Sequence, residues 1–345
     1  MSNRWPGGII RKTPVTPAGP FQNGAASGVW SLADAAYWTK QGLWPRAGNI
    51  MPDGTLAIFA LGNSASGCRL TTRDKYTYSG DVVGSATAAT EASQNGSAAG
   101  NSTVGIFALG CTTCAVAVTT RNKYTYAGCV VSAGGVATAA SRSGSAAGNS
   151  TVGIFALGFV SGAFSTTRNK YTYSGCVVAA GGAATAASAQ GSAAGNSTVG
   201  IFALGSSFGI VATRNKYTYS GDVVSSATAA STASRLNSAA GTSTVGIFAL
   251  GSVTPGIPST TRDKYTYSSC VVSAGGAATA ASAQSSAAGN STVGIFALGD
   301  VQCVGRSTTR NKYTYSGDVV ATGGAATAGS AQGSAASNGI AGITI

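Results

Sequence analysis

The sequence predicts an all-β protein: a β-propeller of six four-stranded blades, closed by a strand from the C-terminal end. Three observations lead there. A unit of 46–48 residues recurs six times between about residue 55 and the end of the chain. Each unit reads as four short strands separated by turn residues, and one extra first strand is left over after the sixth. Phe59, Phe107, Phe155, Phe202, Phe248 and Phe296 mark the beat, which Tyr76, Tyr124, Tyr171, Tyr217, Tyr265 and Tyr313 keep. Four strands at that period make one propeller blade.

Residues 1–50 differ in kind and are read as a separate unit. RWPGGIIRKTPVTPAGP, rich in Pro and Gly, gives an extended arm. A short helix follows, with Ser31 as its N-cap, Ala35, Ala36 and Trp38 on its apolar side, and Gly42 at its end. All four tryptophans, Trp5, Trp30, Trp38 and Trp44, lie here and are the candidate anchor residues. MSNRWPGGIIRK lacks the apolar core of a signal peptide. No run of about 18 apolar residues is present, so no membrane insertion is expected.

Residues 51–345 carry the repeats. In the third copy the four strands are GSAAG at 144–148, TVGIFALG at 151–158, TTRNKYTYSG at 166–175 and CVVAAGGAATAAS at 176–188. Gly-Asn and Asn-Ser between the first two suit a tight hairpin. The second strand is continuously apolar, as a strand buried on both faces should be. The third alternates, with Arg168, Lys170 and Thr172 on one face and Asn169, Tyr171 and Tyr173 on the other. Gly, Ser and Ala in the first strand fit the crowded axis of a ring, and bulk grows outward to Phe and then Tyr. Each buried Phe contributes roughly 1.5–3 kcal/mol. Six such layers build a core although only 9% of the residues are charged.

The ends of the chain bear on closure. The first copy lacks its GSAA strand and has WPRAGNIMPDG instead, while GSAASNGIAGITI at the C-terminus has no tyrosine strand after it. A late strand completing the first blade would lock the ring at six. A seventh blade, founded on the C-terminal hairpin with outer strands from the leader, is the alternative. An open solenoid ranks third, because it needs caps and gains nothing from a surplus first strand.

The net charge of +12 is spread rather than gathered. One Arg and one Lys per copy, from Arg73 and Lys75 to Arg310 and Lys312, supply twelve of the 21 basic residues. Without a patch or an aromatic–basic reader motif, no specific nucleic-acid binding is expected. These side chains either stack on tyrosine faces of the next blade or point to solvent. Seven cysteines, odd in number and sparse, argue against a disulfide scaffold. Cys129, Cys176 and Cys270 share a repeat position with Asp81, Asp222 and Asp318, an exchange the sequence does not explain. Cys111 and Cys114 form a CxxC, with no second pair and no histidine to complete a zinc site.

The chain has no histidine, which removes Ser-His-Asp and Cys-His catalysis and histidine-ligated metals. Paired carboxylates leave a glycosidase option, but there are only nine acidic residues, and Asp81, Asp222 and Asp318 fall in separate copies. No GxxxxGK[ST] phosphate loop is present. No enzymatic activity, cofactor or metal is therefore expected.

What varies is the connection between second and third strands. It reads NSASGCRL at 63–70, CTTCAVAV at 111–118, FVSGAFS at 159–165, SSFGIV at 206–211, SVTPGIPS at 252–259 and DVQCVGRS at 300–307. In a propeller all six would emerge on one face, and a constant frame holding variable loops is how binding surfaces are commonly built. Unconstrained drift is the competing explanation, but drift would favour polar residues, whereas these loops are rich in apolar ones. The candidate partner-binding residues are Arg69, Cys111, Cys114, Phe159, Phe164, Phe208, Ile210, Val253, Ile257, Asp300, Gln302 and Arg306. Their apolar bias points to a protein surface. Only Arg69, Asp300, Gln302 and Arg306 suggest a glycan site.

The order hairpin, IFALG, variable loop, KYTY and weak outer strand resembles a degenerate kelch repeat over about residues 50–345. Leu-Gly stands where that family has a glycine pair, and the fourth-strand Trp is missing. The resemblance implies a propeller and little about function, since kelch-like propellers include scaffolds, enzymes and lectins. Copper chemistry of the galactose-oxidase kind would need histidines this chain lacks. The leader, especially GAASGVWSLADAAYWTKQGLWP, resembles segments of structural and tail proteins of marine bacteriophages over about 45 residues. That resemblance implies a non-enzymatic virion structural protein, a tail or capsid appendage made in the host cytoplasm. Residues 1–50 would bind other virion proteins, and the loops would meet a host-surface receptor or another virion protein. The alternatives are an intracellular kelch-like adaptor between proteins and, third, a glycan-active enzyme. Homo-oligomers are compatible with each.

Overall fold

The computed structural model describes residues 54–113, 116–254 and 256–339, together with Ala33. The chain divides into Met1–Pro52 and Asp53–Ile345. The expected arm and short helix, Trp5, Trp30, Trp38 and Trp44, and Cys114 lie outside the described residues.

In the second unit six four-stranded antiparallel sheets follow one another, one per repeat. Blade 3 has an inner strand Ser145–Gly148, a second strand Val152–Ala156, a third strand Arg168–Thr172 and an outer strand Val177–Ala180. Blades 2, 4, 5 and 6 repeat that order. In blade 1 the second, third and outer strands are Leu56–Ala60, Arg73–Thr77 and Val82–Ala86, and the inner strand is Ser334–Ser337 from the far end of the chain. Ala57 pairs with Ser337 and Ala60 with Ser334. The surplus strand is used in blade 1, so the ring closes at six, and neither the seven-blade nor the solenoid alternative stands.

The seam reproduces a hairpin across a chain break. In blade 3 the Asn149 carboxamide oxygen accepts from the amides of Thr151 and Val152, which folds the inner strand back onto the second. Asn338 holds the matching position in blade 1, and its Oδ1 accepts from the Leu56 amide at 2.9 Å. The asparagine that turns a continuous chain in blades 2, 3, 4 and 6, where blade 5 has Thr242, here joins two distant segments by hydrogen bonds alone.

The axis is packed. Both alanines of every inner strand, from Ala98 and Ala99 to Ala335 and Ala336, are fully buried. Beside them, blade 2 needs Gly100 and Gly105, because a Cβ on either would fall 3.0 or 2.8 Å from the Tyr126 hydroxyl. Blade 1 has Ser337 and Ala57 there, and the Tyr78 hydroxyl donates to Ser337 Oγ at 3.0 Å. Burial pushes the phenols of all twelve KYTY tyrosines above their ordinary value.

Alternation in the third strand decides how blades stack. Ile154 and Ala147 of blade 3 pack on Ala193, Phe202, Tyr217 and Tyr219 of blade 4, and the other five boundaries repeat this. The repeated arginine crosses the same boundary. Arg168 lies with its guanidinium carbon 4.6 Å from the centre of the Phe202 ring and 5.8 Å from that of Tyr217. Neither expectation for this residue was complete: its main platform is the phenylalanine, and no repeat arginine is more than 1% exposed. The ring face and the carboxamide beyond it draw the cation inward.

That carboxamide completes a clasp. Arg168 Nη2 donates to Asn215 Oδ1 at 3.1 Å, the Thr185 amide donates to the same oxygen, and Asn215 Nδ2 donates to Thr185 Oγ1. Two boundaries carry aspartate instead, giving the buried ion pairs Arg214–Asp263 at 2.8 Å and Arg310–Asp74 at 2.7 Å. There the facing hydroxyl reverses its role. Ser231 and Thr327 donate to the carboxylate rather than accepting from an amide.

The Asp/Cys exchange also has a physical account. The position sits at φ of 53–56° in all six copies and follows a glycine in all but the fifth, where Ser269 precedes Cys270. Where it is aspartate, as at Asp222, the carboxylate accepts from Tyr217 of its own blade and Lys170 of the preceding blade, at 2.8 and 2.9 Å. Lys264–Asp318 and Lys312–Asp81 repeat that pair. Among the described residues, the cysteine-bearing copies form no such ion pair. Blade 1 alone has aspartate at both exchange positions, so the seam between blades 6 and 1 receives both ion pairs.

Candidate interaction face

The second strands all run out at one end of the ring, and a glycine steers each loop away from the axis. Gly158 has φ of +71°, and a Cβ there would lie 2.5 Å from the carbonyl oxygens of Arg142 and Ser143. Its five counterparts, such as Gly62 and Gly110, share the left-handed backbone.

Beneath the glycines lies a closed circle of main-chain hydrogen bonds. The Ser143 amide donates to Asn95 O, Gln190 to Ser143, Leu236 to Gln190, Gln284 to Leu236, Gln332 to Gln284, and Asn95 to Gln332, at 2.8–3.1 Å. All six residues have φ of 54–60°, an uncommon conformation without glycine. Sequence reading missed this circle, because its members share no side-chain type. Their one signal is position, two residues before the inner strand of every copy.

The loops standing on this base are short hairpins, not free coil. Phe159–Val160 pairs with Ala163–Phe164 and also with Ser141–Arg142, the stretch leading into the inner strand. Asp300–Val301 is held between Gly305–Arg306 and Ser282–Ala283 in the same way.

The structure gathers part of the expected set. Phe159 and Phe164 face each other with ring centres 4.7 Å apart, and Phe164 meets Phe208 edge-on at 5.3 Å. This cluster crosses from blade 3 to blade 4, with the Arg142 guanidinium 5.8 Å from the Phe159 ring. Phe208 is 90% exposed and has φ of 56°, which is strained for a bulky side chain. The Ser206–Ile210 bridge and the Ser207 amide on Gly209 O hold the tight turn that puts it there.

Others of the set lie apart from that cluster or are engaged in the frame. Ile257 and Gln302 are exposed, and Ile210, Val253 and Arg69 are half-buried. Cys111 is fully buried, not part of the loop surface: its amide and carbonyl both pair with Gln94, which draws it beneath the face. Asp300 and Arg306 lie 3.7 Å apart, and Arg306 Nη1 also reaches the Ser64 carbonyl of the first loop. They tie two loops together. Val116 and Val304 join the exposed apolar residues; both stand in the variable loops, and the sequence reading missed them.

No protein-family model matches the chain, and no curated protein sequence is similar to it. In structure, 204 solved chains match this one. Among them, one described as "Structure of YjhT" is 10% identical and superposes with a TM-score of 0.56. The match covers 70% of this chain and 87% of that one. At that identity the likeness establishes the fold and carries nothing about function.

Proposed function

We propose that this chain is a non-enzymatic binding module whose loop face meets a protein partner, and that residues 1–50 carry it on a phage particle. The observation that carries the first part is the Phe159–Phe164–Phe208 cluster, with Phe208 almost wholly in solvent on strained backbone. Aromatic side chains held rigidly at a surface anchor protein interfaces at low entropic cost. The packed axis leaves the loop face as the place where the repeats differ. Asp81, Asp222 and Asp318, which a glycosidic reading would need, each accept from a tyrosine of their own blade and a lysine of the preceding one. The second part rests on the leader's resemblance to phage structural proteins.

Particles carrying Phe164→Ser with Phe208→Ser test both parts. The altered protein should still be detected in purified particles by mass spectrometry, while adsorption to host cells falls about tenfold or more. Unchanged adsorption would remove the display role. Absence of even the unaltered protein from particles would remove the virion role and favour an adaptor inside the cell.

A further inference from the structure

The six clasps are not electrically alike. Arg214 and Arg310 meet carboxylates, but Arg73, Arg121, Arg168 and Arg262 meet neutral acceptors: the carboxamides of Asn122, Asn169, Asn215 and Asn311 at 3.0–3.1 Å and, for the last three arginines, the carbonyls of Gly135, Gly182 and Gly276 at 3.3–3.5 Å. All four guanidiniums are 1% exposed, and each Nε lacks a hydrogen-bond partner, as does Arg73 Nη1. Burial pulls all four down to about 10, so each remains a cation at neutral pH. A buried cation whose partners are neutral is costly, and such charges in proteins are paired.

A small cavity beside three of these arginines could meet the need. Next to Arg168 it is lined by Ser143, Ser145, Ser165 and Thr167, with the edge of Phe202, and it has room for a body the size of one water. Matching cavities adjoin Arg73 and Arg121. A similar one adjoins Arg310, whose charge Asp74 already balances.

We propose that the four arginine–asparagine boundaries, that of Arg262 by the equivalence of its clasp to the other three, are binding sites for a small monovalent anion of the chloride class, and that the two arginine–aspartate boundaries are not. Size excludes phosphate and sulfate. Water would supply an acceptor for Nε but no charge, so charge separates the four boundaries from the two.

Crystals of the full chain soaked in bromide should show anomalous scattering beside Arg73, Arg121, Arg168 and Arg262, and none beside Arg214 or Arg310. In solution, the logarithm of the folding constant should rise with the logarithm of chloride concentration, against a gluconate background of equal ionic strength. Well above the dissociation constant the slope should approach about four. Asn169→Asp should lower it to about three and Asp263→Asn raise it to about five. Both variants copy a residue that another blade already carries at that position, so both should fold. Ordered water with no bromide signal, bromide at all six boundaries alike, or a slope indifferent to chloride would each overturn the assignment.

Discussion

Asp263 offers a stringent test of the clasp, because its own homologues within the chain supply the control. Its carboxylate is 1% exposed and accepts from Arg214 Nη2 at 2.8 Å, the Ser231 amide at 2.9 Å and Ser231 Oγ at 2.5 Å. Removing one partner of a buried ion pair usually costs about 3–5 kcal/mol, since the other charge is left unanswered. Asp263→Ala should lie in that range. Asp263→Asn should not. Asn215 shows that an amide at this position keeps both accepted bonds and turns its Nδ2 onto the facing hydroxyl at 2.7 Å. With chloride in the buffer to balance Arg214, only the charge assistance of the arginine bond is lost, a difference of about 1–2 kcal/mol between charged and neutral hydrogen bonds. Urea unfolding followed by circular dichroism in one fixed buffer would give both values. Equal losses for the two variants would show that charge, not the hydrogen-bond pattern, holds the blades, and the reasoning would fail.

Three further outcomes follow from the same geometry. Twelve buried phenols are raised above the ordinary tyrosine value, so their stabilisation is complete below about pH 10 and lost as pH climbs beyond it. The lowered arginines act in the opposite sense but are half as many; tyrosinate absorbance from these twelve, as distinct from Tyr37, should therefore appear together with loss of β structure. Burial alone would raise the Asp318 carboxyl, but bonds from Tyr313 and Lys264 and the lysine charge outweigh it and hold it low. Its contribution is present above about pH 3.9 and disappears as pH falls through the lowered folded value, so Asp318→Asn should flatten the acid limb of a stability–pH curve. Deleting residues 334–345 removes four cross-strand pairs from blade 1 and bares the edge of Leu56–Ala60. At about 0.5–1.5 kcal/mol per hydrogen bond the loss should reach several kcal/mol, with self-association visible by light scattering; an unaltered unfolding midpoint would deny the seam its role.

Much of the architecture was legible because it rests on spacing. The Phe and Tyr beat, the Gly-Ser-Ala-Ala inner strand and the surplus copy at the end gave blade number, strand order and closure. The third-strand alternation also held, down to Arg168 and Asn169 facing different neighbours. What could not be read were relations between copies. Arg168 looks like any surface arginine until Phe202 and Asn215 of the next blade surround it, and nothing in one repeat says what the next will present. Asp81 and Cys129 looked interchangeable for the same reason, because the lysine that tells them apart belongs to the preceding blade. Of the loop set, Phe159, Phe164 and Phe208 converge. Cys111 does not join them, because a two-way main-chain pairing with Gln94 overrides its place in a variable segment.

The circle through Asn95, Ser143, Gln190, Leu236, Gln284 and Gln332 is built from peptide groups alone. Whole loops could therefore be traded among the six stems, or new ones installed, without disturbing the ledge on which they stand. A lineage under pressure to meet changing surfaces would find that freedom useful, since novelty in one finger leaves the footing of the other five as it was.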